Sequence, residues 1–447
     1  DEAVLIETDD FALVYDRRNR AFHKKLWNSS TKSWTTKVAP YSALVAKDGS
    51  TVWAEDASGK TIASGEAGVD DASVIQSAID AVEENGGGGV LIRQGLYIIQ
   101  NSIIMKSRIV LHGEGMRNTR LKLADGADTS VISYPYEQTG DYALGSLEIA
   151  HLWIDGNKAN NTQGFGIIIA AWDAVFHHLF IRNCAKTGFF RKGATSASTD
   201  DNTIYRVRVV DCDGYGIHCS SSGTCIMDCY IGNNAWSGIS FMYEGTKIIG
   251  NTIYGSFTAI EGHRSCESAV ITGNTIDVRA GGRGILINAG EDKLDEIIIS
   301  NNIINVKVNA KEGICIKGVD HPVRVNIRGN IIKAYRRDYS PTLDYGILCE
   351  GDVRGHISDN IILQDNATIT TPIEPASCVV GSNLIYWDLL TRNSGTATFS
   401  GDGTTTQFSI AHGLVKAPTK VLVTPMTADA ASDFYVTADD TNIYINY

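Results

Sequence analysis

The feature that most constrains this chain is a short element that recurs along it: an aliphatic or aromatic residue, four residues, then an aliphatic one. It runs Ile149 to Ile154, Phe176 to Ile181, Ile204 to Val209, Ile226 to Ile231 and Ile248 to Ile253. It continues as Ile271 to Ile276, Ile299 to Ile304, Ile327 to Ile332, Ile357 to Ile362 and Val380 to Ile385. Ten copies at intervals of 22 to 30 residues are the mark of a solenoid. Side chains of a flat strand alternate with period two, so a separation of five cannot leave both ends on one face. The strand must therefore bend between them. Two residues before the second aliphatic, four copies carry Leu152, Leu179, Val207 and Cys229, and the next six carry Asn251, Asn274, Asn302, Asn330, Asn360 and Asn383. An inward Asn at such a bend bonds turn backbone groups and the Asn of a neighbouring coil, satisfying polar atoms that burial would otherwise strand. A second element, Gly followed by apolar residues (Gly188-Phe-Phe, Gly216-Ile-His-Cys, Gly284-Ile-Leu-Ile, Gly313-Ile-Cys-Ile), follows the bends. Each coil thus offers three short strands. The pattern predicts an all-β chain whose residues from about Gly68 to Leu390 form a right-handed parallel β-helix, a solenoid with coils about 4.8 Å apart.

Solenoids grow by adding coils, so the 447 residues need no single large core. With 43% hydrophobic and 20% charged residues the chain is globular. A formal charge of −12 repels phosphate backbones and anionic membrane surfaces, and no Lys/Arg-rich run offsets it, which excludes nucleic acid as a partner class. No stretch of about 18 apolar residues is present to span a bilayer. Asp1-Glu2-Ala3 lacks the basic and apolar regions of a signal peptide, so a soluble, already processed chain is expected. The nine cysteines leave the compartment open. Cys212, Cys219, Cys225 and Cys229 crowd together without the spacing of a zinc site, and no metal ligand set is assigned. Cys184 and Cys212 fall at equivalent places in successive coils, where a disulfide is geometrically allowed.

Ahead of the coils, Asp70 and Asp71 are placed to cap a helix over 70–85 with Val74, Ile75, Ala78, Ile79 and Val82 on one face, stopped by Gly86 to Gly89. This helix is expected to cover the open end of the solenoid. Residues 1–67 read as a small β-rich leader, with Lys47-Asp48-Gly49-Ser50 as a hairpin turn. Residues 394–447 alternate as strands and predict a C-terminal β-sandwich. The order Asp-Asp, a helix ending Ala-Ile-Asp-Ala, a Gly-rich turn, Gly-Leu-Tyr-Ile-Ile and Leu-His-Gly-Glu-Gly resembles the pectate-lyase-like β-helix superfamily, which includes phage tailspike depolymerases. Ile154-Asp155-Gly156-Asn157 is similar to a further element of that family. The resemblance implies a polysaccharide partner, action outside the cell or at a virion surface, and, by analogy with tailspikes, a homo-trimer. It is specific for fold and not for reaction. The Asn-Thr-Asp and Gly-His-Gly motifs of polygalacturonases are absent, as is the Trp- and His-containing motif of pectate lyases.

Enzymes of similar fold bind glycan on the outward face of the Gly-initiated strands. Alternation with inward Ile217 and Cys219 puts His218, Ser240, Glu261, Leu286, Cys315 and Leu348 in one outward column. Lys192, Ser220, Met242, His263, Asn288, Lys317 and Glu350 stand beside it. His218, Glu261, His263 and Arg264 are expected within two coils of one another, roughly 10 Å. Glycoside hydrolysis requires two carboxyl groups, for which Glu261 is paired with Glu244 or Asp213. A polysaccharide lyase needs a base and a cation to neutralise a uronate, roles open to His218, His263, Arg264 and Lys317. Trp172, Trp236 and Tyr243 offer rings for sugar stacking, and Lys192, Asn288 and Glu350 complete the expected substrate contacts. The expectation is a polysaccharide lyase or glycoside hydrolase, with a non-catalytic stalk, adhesin or virion fibre and a sugar epimerase as alternatives. No cofactor is expected, save a divalent cation such as Ca2+ for a lyase.

Overall fold

The structure, a computed structural model, describes residues 2–7, 11–16, 21–28, 33–37, 41–135, 137, 142–194, 200–288, 294–335, 341–365, 367–385, 389–390, 396–412, 417–427 and 430–447. The chain divides into two compact units, residues 1–235 and 236–447. Among the described residues no helix is long and apolar enough to cross a membrane.

The first unit opens with an antiparallel meander of Glu2–Glu7, Phe11–Asp16, Ala21–Asn28 and Ser33–Lys37. The leader expected over 1–67 is not one piece. Strands Ala43–Asp48, Thr51–Asp56 and Thr61–Glu66 form a second meander, and the first of them pairs in parallel with Gly88–Ile92, the first coil strand. This pairing satisfies the backbone edge that a solenoid leaves open at its end.

The helix spans Asp71–Glu84 and buries Ala72, Val74, Ile75, Ala78, Ile79 and Val82. The helix lies against Ala43–Asp48, Thr51–Asp56, Thr61–Glu66, Gly88–Ile92 and Gly95–Ile99. The capping differs from expectation. Asp70 makes no side-chain cap and instead accepts the Glu66 N–H at 2.8 Å. Asp71 is fully buried and accepts from Gly68 N–H at 3.0 Å, Ile98 N–H at 2.7 Å and Lys47 Nζ at 2.9 Å. One carboxylate therefore ties the leader strand, the helix start and the first coil together. Asp71→Ala leaves the Lys47 charge and two backbone donors without that acceptor, and a loss of about 3–5 kcal/mol is expected. Guanidinium unfolding checks it, and a midpoint equal to wild type would refute the tie.

Coils follow in both units. In the first, Val175–His177, Phe180–Arg182 and Phe189–Arg191 make one coil and pair in parallel with Asn202–Tyr205, Arg208–Val210 and Ile217–Cys219 of the next. The bend that the five-residue spacing demands is a single residue in the left-handed region: His151 (φ 58°), His178 (48°) and Arg206 (52°) in the first unit, Gly273 (68°), Asn301 (56°) and Asp359 (58°) in the second. One left-handed residue breaks the alternation, so both flanking aliphatics, such as Ile149 and Ile154, point inward with no exposed surface.

The apolar bends of the first unit bury Leu152, Leu179, Val207 and Cys229. In the second, each ladder Asn donates both its backbone N–H and its Nδ2 to the Oδ1 of the next, from Asn251 through Asn274, Asn302, Asn330 and Asn360 to Asn383, at 2.9–3.0 Å. The glycines that open the third strand serve close approach rather than a special φ. A Cβ on Gly313 would stand 2.6 Å from the Gly346 carbonyl oxygen and 2.9 Å from Ile332.

The cysteines are free thiols. Cys184 and Cys212, where a disulfide was allowed, meet as thiols, and their shared hydrogen bond together with burial pushes Cys184 well up from its ordinary value. The C-terminal strands Gln407–Ala411, Tyr435–Ala438 and Asn442–Asn446 form a three-stranded antiparallel sheet with the last in the middle.

Candidate functional site

In the first unit the outward face of the Gly-initiated strands is aromatic. Phe190 points out between inward Phe189 and Arg191, and its ring centroid lies 5.5 Å from Phe165 and 4.9 Å from His218. His218 in turn stacks on Tyr215 at 4.7 Å. Lys186 Nζ stands 5.7 Å from the Phe165 centroid. A row of rings with a cation over one of them suits the apolar faces and hydroxyls of a sugar. The other residues expected here are engaged locally. Lys192 Nζ donates to the Glu137 carbonyl at 2.5 Å, Lys158 Nζ to Asp213 at 2.7 Å, and the half-exposed Trp172 lies flat over Gly145.

The second unit places Glu261 and His263 on one strand, Thr258–His263, facing the same way because they are two residues apart. His263 Nε2 is 3.4 Å from Glu261 Oε1, and the Ser237 hydroxyl of the paired strand donates to Oε2. Burial raises the Glu261 carboxyl. The contacts to His263 and Ser237, with the charges of His263 and Arg283, outweigh it and hold the group below its ordinary value of 4.5. Arg264 is exposed at the end of the strand, and Glu244 is exposed in the turn after Ser237–Phe241. Tyr243 accepts the Thr246 hydroxyl on its carbonyl.

Beside Glu261 the outward column turns apolar: Leu286, Cys315 and Leu348 are buried with Tyr345 against them. Two ion pairs flank it. Arg283 Nε lies 2.5 Å from Glu312 Oε2, and Lys317 Nζ lies 2.6 Å from Glu350 Oε2. Lys317 and Glu350, both expected to meet substrate, thus meet each other, and Glu350 pulls Lys317 above its ordinary value. Asn288 stands in register between His263 and Lys317.

A third cluster was not anticipated. His112, Glu148, His151, His177, His178 and Tyr205 gather at the bend of the first unit. Glu148 Oε1 accepts from His112 Nε2 at 2.6 Å and from His177 Nε2 at 2.8 Å, and His177 Nδ1 lies 2.8 Å from His178 Nδ1. His151 stacks on His178 at 4.8 Å and His177 on Tyr205 at 4.8 Å. Burial pushes Glu148 up, and the two imidazoles more than reverse it. The signal in the sequence is register: His112, Ala150, His177 and Tyr205 occupy one column.

The profile described as "Right handed beta helix region" matches residues 171–332. Alginate lyase 7 of Azotobacter vinelandii is 38% identical over 113 residues, covering 23% of this chain and 12% of that protein. Mannuronan C5-epimerase AlgE4 of the same organism is 28% identical over 197 residues, 41% of this chain and 31% of that one. The chain therefore matches about an eighth and about a third of these relatives' lengths. Among solved structures, a mutant tailspike protein of E. coli bacteriophage HK620 in complex with a pentasaccharide aligns with a TM-score of 0.52 and 14% identity over 73% of each chain, a likeness of fold. Parallel coil pairing gives this chain a right-handed parallel β-helix fold, which the profile matches over residues 171–332 and the tailspike shares.

Proposed function

We propose that the protein is a carbohydrate-active enzyme that removes the proton α to the carboxylate of a uronate-containing polysaccharide, the step a lyase and a C5-epimerase share. The observation that carries this reading is the Glu261–His263 pair, 3.4 Å apart on the outward face. A carboxylate beside Nε2 favours the imidazole tautomer with its proton there, leaving Nδ1 as the base. Exposed Arg264 is the adjacent cation for the uronate carboxylate, which must be neutralised before its α-proton becomes acidic. Hydrolysis is the weaker reading, because it needs two carboxyl groups on the scissile bond and Glu312 and Glu350 on this face are already paired with Arg283 and Lys317. The relatives named as an alginate lyase and a mannuronan epimerase point to the same substrate class. Action outside the cell or at a virion surface belongs to this proposal.

A panel of neutral, acidic and aminated polysaccharides tests it, read for reducing ends, for unsaturated-uronate absorbance and, in deuterated water, for exchange at C5. Absorbance identifies a lyase, and exchange without cleavage an epimerase. Reducing ends without absorbance identify a hydrolase and refute the proposal. Silence in all three readouts also refutes it and favours a stalk or fibre. A chelator arm tests for a divalent cation such as Ca2+ in the role given to Arg264.

A further inference from the structure

The histidine cluster lies in the first unit and has no part in the chemistry assigned to Glu261. Its backbone is set by the coils. His112 lies on Ile109–Gly113, Glu148 on Glu148–Ala150 and His177 on Val175–His177, with His112 paired to Ala150 and Ala150 to His177. His112 and His177 are therefore two coil spacings apart, roughly 10 Å at the backbone. The small Ala150 between them lets both imidazoles lean inward until their centroids are 6.1 Å apart. Glu148, two residues earlier on the middle strand, reaches into the same gap from the same face. Its Oε1 touches both Nε2 atoms, and the ligand atoms of this triad all lie within 4.8 Å of one another.

We infer that His112, Glu148 and His177 form a binding site for a divalent transition metal of the zinc, cobalt, nickel or copper class. Two imidazoles and one carboxylate are the donor set of an open zinc site. Tetrahedral bonds of about 2.1 Å separate ligand atoms by roughly 3.4 Å, so each 2.6–2.8 Å contact need open by less than about 1 Å. The site is accessible, since the side chains of His112, Glu148 and His177 are 36%, 29% and 11% exposed.

A second, separate feature points to a metal. A coordinating imidazole carries its proton on the other nitrogen and needs an acceptor there. His177 has one: its Nδ1 faces His178 Nδ1 at 2.8 Å, a contact that holds only if one nitrogen carries the proton and the other accepts it. A metal that displaces the proton His177 Nε2 now gives to Glu148 leaves the remaining proton on Nδ1, where His178 Nδ1 is its acceptor, and frees the Nε2 lone pair for the ion. The ring is also held on its face by Tyr205, stacked at 4.8 Å, and His178 is held by His151 at 4.8 Å. His151, 5.5 Å from His112 and 5.2 Å from His177 between centroids, is the imidazole that stands beside both.

The test uses the full chain, stripped with chelator and titrated with Zn2+, Co2+, Ni2+ and Cu2+ by calorimetry, with metal content read after dialysis. One ion per chain is expected, and Co2+ should give the visible bands of a low-coordinate nitrogen and oxygen site. His112→Ala and His177→Ala should each weaken binding about a hundredfold or more, and His178→Ala about tenfold to a hundredfold. His412→Ala, in the C-terminal sheet region, should bind as wild type. Glu148→Gln preserves shape and should also weaken binding, which keeps the test decisive if an alanine variant fails to fold. Absence of saturable binding for all four ions, or unchanged binding in the Glu148→Gln and His112→Ala chains, would overturn the inference.

Discussion

Glu261→Gln is expected to lower turnover about a thousandfold on whichever uronate polymer the panel identifies, within the range that a positioned acid or base contributes. The substitution keeps the size of the side chain and its link to Ser237. It replaces an acceptor-only group with one that can turn an N–H toward His263 Nε2, 3.4 Å away. That drives the imidazole proton to Nδ1 and removes the base. The pH profile separates this role from a structural one. Glu261 sits below its ordinary value of 4.5 because His263 and Ser237 favour the carboxylate, so the acid limb belonging to the carboxylate should fall below pH 4.5. Removing His263 takes away a hydrogen bond and a charge that both lower the value, so the carboxyl in His263→Ala should titrate at higher pH. The stability sign agrees: a depressed carboxyl contributes stability above its unfolded value, and the contribution is lost as pH falls through the folded one. A Glu261→Gln enzyme with wild-type rate, or a Glu261 resonance that does not move in His263→Ala, would remove Glu261 from the chemistry.

How far the sequence carried depends on the range over which each feature is determined. The bend was legible because a spacing of five contradicts strand alternation within six residues, and only a left-handed residue such as His178 or Asn301 resolves it. The ladder was legible because the same residue recurs at the same place in the repeat. Asp71 was misread as one of two interchangeable caps, since the groups that bury it, Ile98 N–H and Lys47, lie 27 and 24 residues away. Lys317 and Glu350 were assigned to a ligand although the column already set them side by side. Adjacent opposite charges pair with each other before they meet anything else. The histidine cluster escaped because its donors are 36 and 29 residues apart and match no short motif. Its members sit next to the bends, whereas the expected chemistry was centred on the Gly-initiated strands. Aligning the repeats and following the residue after each inward apolar residue, Leu111, Ile149, Phe176 and Ile204, finds His112, Ala150, His177 and Tyr205 in one line.

Asn302→Leu, at an interior ladder position, should destabilise the second unit by about 3–5 kcal/mol. Size is not the reason, since Leu152 and Leu179 occupy the equivalent place in the first unit and are fully buried there. The cost comes from the neighbours. Asn302 Oδ1 accepts the backbone N–H of Asn274 at 3.0 Å and its Nδ2 at 2.9 Å, while its own Nδ2 donates to the Ile271 carbonyl at 3.0 Å and to Asn330 Oδ1 at 2.9 Å. Leucine leaves two buried donors on Asn274 without their acceptor, each worth about 1–3 kcal/mol, and denies water any route to them. Replacing partners together should therefore cost less than the sum of the single changes. Asn302→Leu combined with Asn274→Leu removes the stranded Asn274 amide along with its acceptor, leaving the backbone N–H of residue 274 and the two Asn251 donors that Asn274→Leu strands by itself, and a coupling of about 1 kcal/mol or more is expected. Calorimetric melting of the single and double variants measures it. Strict additivity would mean that the ladder is a row of independent contacts; coupling would mean that the six asparagines stabilise the coils as one connected chain of hydrogen bonds, which an apolar bend can precede, as Cys229 precedes Asn251, but cannot interrupt without stranding donors.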